Sequence, residues 1–255
     1  MNKRFPVRRT LVALLLALAA SGTQAAIAAP INNIVLVHGY FADGSGWKAV
    51  ADLLTHDGYK VSIVQEPETS FQDDVKATTR VVDMQDGPSI LVGHSYGGAV
   101  VTQAGNNAKV AGLVYINAFQ PDAGESLKTL VEQMPGATKA IKPTQDGFLY
   151  LDPADFHADF AADIPAREAK FMAISQVMPS VETFGAPVTT AAWKTKPSWA
   201  LVSMSDRTVN PALERFMAKR AGSTTVEIDS SHVAFLSHPA DVAKLIEQAA
   251  GHLTK

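Results

Sequence analysis

The chain has 255 residues, of which 47% are apolar and 18% are charged. This composition excludes an intrinsically disordered chain, and the length suits one domain with a sizeable core. The sequence has no cysteine, which excludes disulfide bonds, a thiolate nucleophile and cysteine-ligated zinc. The formal net charge is −3, and after the first nine residues lysine and arginine do not cluster into a basic patch along the sequence. Nucleic acid and anionic membranes are therefore poor candidates as partners.

Residues 1–29 have the pattern of a cleaved secretory signal peptide. Four basic residues precede an apolar run from Leu11 to Ala20, and small residues follow up to Ala29. The apolar run of about ten residues is too short to span a bilayer. Paired Arg8 and Arg9 leave both the general and the twin-arginine export routes open. We therefore expect an exported protein, periplasmic or secreted, that has a net charge of −7 and no membrane attachment after cleavage.

Residues 30–255 alternate between strand patterns and helix patterns. Short apolar runs rich in β-branched residues are typical of strands buried on both faces, and the segments between them have helical spacing. This order predicts an α/β fold with a mostly parallel sheet flanked by helices. The predicted strands are 34–37, 59–64, 89–92, 110–116, 199–202 and 225–228, and the predicted helices are 47–57, 70–85, 97–106, 211–221 and 239–250, the last followed by Gly251.

The alternation stops over residues 119–196. This stretch has seven prolines among short helical patches, and a plain loop of more than about 12–15 residues is already uncommon. We therefore predict one domain over residues 30–255 with an inserted helical lid at about 119–196. Large apolar side chains in the insertion either line a substrate pocket or form the insertion's own core; they are Phe148, Tyr150, Phe156, Phe160, Phe171, Met172, Phe184 and Trp193.

Residues 93–97 read Gly-His-Ser-Tyr-Gly, directly after a predicted strand and directly before a predicted helix. A serine on such a turn has a strained backbone, and glycines at 93 and 97 remove the collisions that Cβ atoms would cause there. A phosphate-binding turn would instead require G-x-G-x-x-G or a lysine, and neither is present. The pattern therefore predicts Ser95 as a catalytic nucleophile.

A serine nucleophile needs a base that is oriented by a carboxylate. His232 lies in a short polar loop between the last predicted strand and the closing helix, and we predict it as the base. Asp206 directly follows the strand 199–202, at the strand end where open α/β sheets place their ligands, and is the predicted acid. Asp122, after the strand 110–116, is the alternative acid. His94 is expected to have a packing role and His238 to cap the closing helix.

Negative charge on the attacked carbonyl oxygen needs preformed N–H donors. One predicted donor is the backbone N–H of Tyr96, the residue after the nucleophile. The other is the backbone N–H of Tyr40, in the loop that follows the first predicted strand. Gly39 in that loop would let the backbone approach the nucleophile closely.

These motifs resemble the α/β-hydrolase superfamily, and more narrowly the branch of plant methyl-ester esterases and hydroxynitrile lyases with their bacterial relatives. The resemblance rests on residues 35–39, Trp47, the 93–97 turn, residues 114–119 and the stretch from Asp206 to His232. It covers essentially all of residues 30–255 except the lid. It implies an enzyme that needs no cofactor or metal and cleaves small, often aromatic, carboxylic esters through an acyl-enzyme intermediate.

Other activities on the same triad remain alternatives. Hydroxynitrile lyases of the resembled branch carry a lysine directly after the catalytic histidine and a threonine where this chain has Gly39. Here Val233 follows His232 and offers neither charge nor donor, and Gly39 has no side chain. The sequence therefore favours ester hydrolysis over cyanohydrin cleavage. A cofactor-free haloperoxidase or perhydrolase activity is a third enzymatic alternative. A ligand receptor on the same fold is the alternative that is not an enzyme.

Overall fold

A computed structural model describes residues 1–3 and 31–253 of the chain. Apart from its first three residues, the predicted signal peptide at 1–29 lies outside these ranges. Among the helices within them, none combines the length and the apolar character that crossing a bilayer requires.

Six of the described strands form one parallel sheet, in the order β2-β1-β3-β4-β7-β8, and the other two form an antiparallel hairpin. The predicted α/β fold with a mostly parallel sheet is confirmed. In chain order the strands are β1 (Asn33–Val37), β2 (Lys60–Ile63), β3 (Ser89–His94), β4 (Val110–Ile116), the hairpin strands β5 (Ile141–Pro143) and β6 (Leu149–Leu151), β7 (Ser198–Ser203) and β8 (Thr224–Ile228).

Helices connect the strands and close the chain. The final helix extends through the predicted stop at Gly251, a last-turn position where the cost of a glycine is small. In chain order the helices are α1 (Lys48–His56), α2 (Phe71–Asp83), α3 (Gly97–Ala104), α4 (Leu127–Gln133), α5 (Phe156–Asp159), α6 (Ala166–Ser175), α7 (Val181–Gly185), α8 (Pro211–Ala221), α9 (Ala234–Ser237) and α10 (Pro239–His252).

Strand order places the candidate site. The chain leaves β1 for β2 on one side and then returns across β1 to β3, so right-handed crossovers put α1 and α2 on opposite faces of the sheet. Helix α10 packs against α1, while α2 packs against α3. The reversal between β1 and β3 opens a crevice at their carboxyl ends, which is where open α/β sheets bind ligands.

The burial of the strands explains their sequence patterns. Every residue of β1 and β3 is buried, so these strands have continuous apolar runs without alternation. The edge strands β2 and β8 are partly exposed and carry polar side chains. Between β4 and β7, the region predicted as an insertion contains α4 to α7 and the β5–β6 hairpin.

Candidate active site

Ser95 occupies a sharp turn between β3 and α3. Its φ is +52°, a left-handed value that a serine adopts only where the surroundings impose it. A Cβ on Gly93 would lie 2.5 Å from the carbonyl oxygen of Gly97, and a Cβ on Gly97 would lie 2.3 Å from that of His38. Glycine at 93 is therefore required for the turn to close on itself, and glycine at 97 is required for it to pack against the end of β1.

The structure brings the three predicted triad residues together. The Ser95 hydroxyl lies 2.8 Å from His232 Nε2, and His232 Nδ1 lies 2.6 Å from Asp206 Oδ2. The other oxygen of Asp206 accepts backbone N–H bonds from Thr208 (2.7 Å) and Val209 (3.0 Å). His232 is fully buried, and the whole chain of contacts is shielded from bulk water. This geometry allows Ser95 to pass its proton to an imidazole whose tautomer Asp206 fixes.

The two predicted oxyanion donors flank Ser95. Among the hydrogen bonds of the described residues, none is donated by the backbone N–H of Tyr40 or of Tyr96. Their side chains point away and stack with ring centroids 4.2 Å apart. The Tyr40 hydroxyl bonds Thr183 Oγ1 (2.6 Å), and the Tyr96 hydroxyl donates to Asp74 (2.6 Å). Burial raises the pKa of both phenols well above its usual value, so they stay neutral.

The alternative acid Asp122 and the nearby Asp229, which is close to His232 in sequence, both lie elsewhere. Asp122 forms an ion pair with Lys194 at 2.5 Å and has no contact with His232 among those described. Asp229 accepts a hydrogen bond from Ser205 at an exposed position. The position after β7 therefore suits the acid better than the position after β4. The catalytic roles of Ser95, His232 and Asp206 stay predictions that kinetics must test.

His94 does more than pack. Burial, and then the neighbouring charge of His232, holds the pKa of His94 well below its usual range, so its ring is neutral. Its Nε2–H donates to the backbone carbonyl of His232 at 2.9 Å. Its ring also lies edge-on to Phe235. The residue before the nucleophile thus holds the backbone of the predicted base, a role that the sequence pattern does not reveal.

Asp163, in the insertion, holds the loop that carries His232. Its carboxylate accepts hydrogen bonds from the backbone N–H of Ser231 (2.8 Å), from the Ser231 hydroxyl and from the Ser230 hydroxyl (2.8 Å). Phe160, from the same insertion, places its ring edge-on to the His232 imidazole, 5.0 Å away. The sequence does not reveal either contact, because no local motif links positions 160–163 to position 232.

His238 does not make the predicted cap. It stands at the N-cap position of α10 without a side-chain capping bond, and its imidazole instead lies 3.9 Å from Asp163 and 3.7 Å from Asp241. An imidazole reaches nearby carboxylates more readily than the orphan N–H groups of its own helix, which explains the difference.

Glu214, on α8, supports Asp206 from behind. It is 3% exposed, and its pKa is raised well above the usual value by burial first and then by the adjacent Asp206 charge. A neutral Glu214 therefore adds no second negative charge beside Asp206.

A cavity of about 310 Å³ opens beside Ser95. The insertion forms most of its wall, partly through α4, α7 and the β5–β6 hairpin, and the wall is mainly apolar. Lys139 is its only charged lining residue among those described. Of the insertion residues that the sequence singled out, Phe184 lines the cavity, whereas Phe156 and Phe160 are fully buried in the core. Both interpretations of these aromatic residues thus apply, each to a different subset.

Comparison with known proteins places the chain among hydrolases. It is 27% identical over 252 residues to a pyrethroid hydrolase from Sphingobium wenxiniae, a match that covers 85% of this chain and 86% of the relative. It is 30% identical over 155 residues to a carbendazim hydrolyzing esterase from a Nocardioides species, covering 53% and 61%. The crystal structure of a methylesterase from Arabidopsis has the same fold, with a TM-score of 0.74 at 17% identity, over 87% of this chain and 100% of the other.

The family model described as the alpha/beta hydrolase family matches residues 34–245, from β1 into α10. This range includes the sheet, the insertion and every predicted member of the triad. The resemblance inferred from the sequence motifs is confirmed at this level, and the chain belongs to the alpha/beta hydrolase family.

Proposed function

We propose that this protein is a serine hydrolase that cleaves small carboxylic esters through an acyl-enzyme intermediate. The observation that carries the proposal is the continuous contact from Ser95 through His232 to Asp206, beside a cavity large enough for a small organic group. The names of the two curated relatives, a pyrethroid hydrolase and a carbendazim hydrolyzing esterase, support hydrolysis as the reaction class.

The first half-reaction transfers the acyl group to the enzyme. Ser95 Oγ attacks the ester carbonyl carbon while its proton moves to His232 Nε2, and the carbonyl oxygen becomes an oxyanion. The unpartnered N–H groups of Tyr40 and Tyr96 donate to that oxyanion. His232 then returns the proton to the departing alkoxide, the C–O bond breaks and the alcohol leaves. Asp206 stabilises the imidazolium throughout and stays ionised.

The second half-reaction releases the acid. A water molecule loses a proton to His232 and attacks the acyl carbon, which forms a second oxyanion in the same position. Collapse of this intermediate breaks the bond to Ser95, and the proton on His232 goes to the serine oxygen. The products are a carboxylic acid and the regenerated enzyme.

The cavity wall indicates the kind of ester. Burial of an apolar group is worth about 25 cal/mol per Å², and few polar side chains here could offset the desolvation of a charged substrate group. We therefore propose neutral esters in which one side is apolar and compact. The cavity volume of about 310 Å³ is at the lower end for ligand pockets, which disfavours long acyl chains.

Two residues disfavour cyanohydrin cleavage. Val233, next to His232, is fully buried and offers neither charge nor donor to a departing cyanide. A Cβ on Gly39 would lie 2.6 Å from the Ser95 Cβ, so the loop has no room for the threonine of the lyases. Cyanide would lose a charge-assisted hydrogen bond worth about 1.5–3 kcal/mol, which is roughly a tenfold to hundredfold penalty.

The test is a series of chromogenic esters with acyl chains of graded length. Wild-type protein should hydrolyse the short and compact members, and Ser95→Ala should lower the rate by roughly 10⁴-fold or more. A fluorophosphonate probe should label the wild type and spare the variant. Labelling at another serine contradicts the assignment, and Ser95-dependent release of cyanide from mandelonitrile faster than ester hydrolysis would favour a lyase.

We also propose export. The basic, apolar and small-residue order of residues 1–29 supports a signal peptide that is cleaved between about Ala26 and Pro30. N-terminal sequencing of protein recovered outside the cytoplasm should find that new terminus. An intact Met1 on the same material contradicts the proposal.

A further inference from the structure

Three acidic side chains are buried together behind the stacked rings of Tyr40 and Tyr96. Glu66 and Glu68 come from the segment between β2 and α2, and Asp74 comes from the first turn of α2; they are 5%, 0% and 0% exposed. Asp74 accepts hydrogen bonds from the Tyr96 hydroxyl and, at 2.8 Å, from the Glu68 N–H. All four carboxylate oxygens of Glu66 and Glu68, in contrast, are buried without a hydrogen-bond partner.

His38, the basic residue nearest to this cluster, does not supply a positive charge. The backbone N–H of Glu66 donates to its Nε2 at 3.0 Å, so this nitrogen carries no proton and the ring is the neutral tautomer with a proton on Nδ1. The Nδ1–H donates to the Gly39 carbonyl at 3.2 Å, and Glu68 Oε1 lies 3.5 Å away. No lysine or arginine in the described part of the chain forms an ion pair with these three acids.

Protonation alone would leave this cluster unsatisfied, because none of the four carboxyl oxygens of Glu66 and Glu68 has a hydrogen-bond partner among the described residues. A buried O–H without a partner is unfavourable, as is a buried carboxylate without a counter-charge. A bound cation would compensate the charge and coordinate the free oxygens together.

We propose that Glu66 and Glu68 are ligands of a buried calcium ion, with Asp74 beside them. One ligand atom each from His38, Glu66 and Glu68 lie within 4.8 Å of one another, a separation that oxygens 2.3–2.6 Å from a shared Ca²⁺ can span. His38 is not a ligand, because its Nε2 already accepts a hydrogen bond and its Nδ1 carries a proton. The proposed ligand atoms are therefore all oxygens. Such a set selects a hard cation and not zinc or copper.

The position gives the ion a further effect. Tyr96 connects the cluster to the candidate active site, since its hydroxyl donates to Asp74 and its backbone N–H is a predicted oxyanion donor. Uncompensated carboxylates behind that N–H would oppose the negative charge that develops during ester cleavage. A cation at Glu66 and Glu68 removes this opposition. The binding test below is independent of ester hydrolysis, so its failure would leave the proposed function standing.

The test uses wild-type protein that has been freed of metal with EDTA and then given CaCl₂. Elemental analysis should find a single tightly held calcium ion per chain. The melting temperature should rise by roughly 5–10 °C when calcium reaches about 100 times its dissociation constant. Terbium, which replaces calcium at oxygen sites, should show luminescence sensitised by Tyr40 and Tyr96.

Two variants and one control locate the effect. Glu66→Gln and Glu68→Gln should each abolish most of the calcium-dependent shift and the terbium signal. Glu214→Gln, which removes a buried carboxyl group far from the cluster in sequence, should retain both. Should either cluster variant fail to fold, the metal content and terbium signal of the wild type decide alone. The proposal would be overturned if CaCl₂ left the melting temperature of the wild type unchanged, or if both cluster variants kept the calcium-dependent rise in melting temperature.

Discussion

The two halves of the predicted triad are positioned by different means. Ser95 is fixed by backbone packing, because Gly93 lies against the backbone of Gly97 and Gly98, and Gly97 lies against the backbone of Val37 and His38 at the end of β1. His232 is held by side chains from distant parts of the chain, chiefly Asp163, His94 and Phe160. The position of the predicted nucleophile therefore depends on local sequence, whereas the position of the predicted base depends on contacts that the insertion and β3 make with its loop.

This difference has a consequence for mutation. The backbone of residues 93–97, the serine turn, is packed too tightly to rearrange, so a substitution there should lower the stability of the whole fold. The loop that carries His232, the histidine loop, is held by hydrogen bonds and can lose one of them without changing its path. A substitution that removes one such bond should therefore lower the rate of catalysis more than the stability. The predictions below test that contrast.

The largest effect is expected from Gly97→Ala. The new Cβ would lie 2.3 Å from the His38 carbonyl oxygen, a backbone atom that cannot move without shifting β1. The free energy of unfolding should fall by about 1–3 kcal/mol or more, with loss of ester hydrolysis. Gly185→Ala on α7, where a Cβ meets nothing within 4 Å, is the matched control and should be nearly neutral. Equal urea midpoints for the two variants would refute the crowding argument.

Asp206→Asn comes next, because it leaves packing intact but removes the charge that orients His232. We expect kcat for a chromogenic ester to fall by roughly 10⁴-fold. Asp122→Asn should stay within a few-fold of wild type, since Asp122 pairs with Lys194 instead. A reversed order of the two effects would place the acid after β4.

Asp163→Ala should have an intermediate effect. It removes the acceptor for the Ser230 hydroxyl and for both Ser231 donors, so His232 should spend less time aligned with Ser95. We expect kcat to fall roughly tenfold to hundredfold. Exposed Asp155, which makes no side-chain cap bond, is the control, and Asp155→Ala should leave kcat unchanged. Loss of cooperative unfolding in Asp163→Ala would mean that the histidine loop is as integral to the fold as the serine turn.

Glu214→Gln should have the smallest effect, and one that depends on pH. Because burial and Asp206 raise the pKa of Glu214, the folded protein keeps a proton that the unfolded chain loses, so Glu214 costs stability increasingly as pH rises above the unfolded value of about 4.3. Glutamine has a similar size and carries no such titration. Melting temperatures should therefore match at about pH 4 and favour the variant near pH 8. A variant less stable than wild type near pH 8 would contradict a protonated Glu214.

The same local-versus-distant contrast explains what the sequence could predict. The serine turn, the strand pattern and the position of Asp206 after β7 are encoded within a few residues each, and the structure brings Ser95, His232 and Asp206 together as expected. The sheet order could not be read from the pattern, but the parallel α/β class could. Helix ends were predicted to within a turn, including that of α10, which continues through the predicted stop at Gly251 to His252.

The missed features all depend on long-range contacts. Asp163 meets Ser231, and His94 meets His232, across stretches of chain that no periodicity connects. Glu68 has the appearance of a surface residue in a polar loop, yet packing of that loop beneath Tyr40 and Tyr96 buries it completely. The aromatic residues of the insertion divided between cavity and core for the same reason, since side-chain type does not specify which neighbour folds over it.

The attachment of the insertion limits how such enzymes can be recombined. Phe119, its first residue, donates its backbone N–H to the carbonyl of Ser95 at 3.1 Å, while Asp163 within it holds the loop of His232. A chimera that exchanged this segment for that of a relative would therefore transplant two supports of the predicted catalytic centre together with the cavity beside Ser95. Grafts should begin after Phe119 and retain a carboxylate at position 163, so that the cavity can be exchanged while the predicted catalytic centre keeps both contacts.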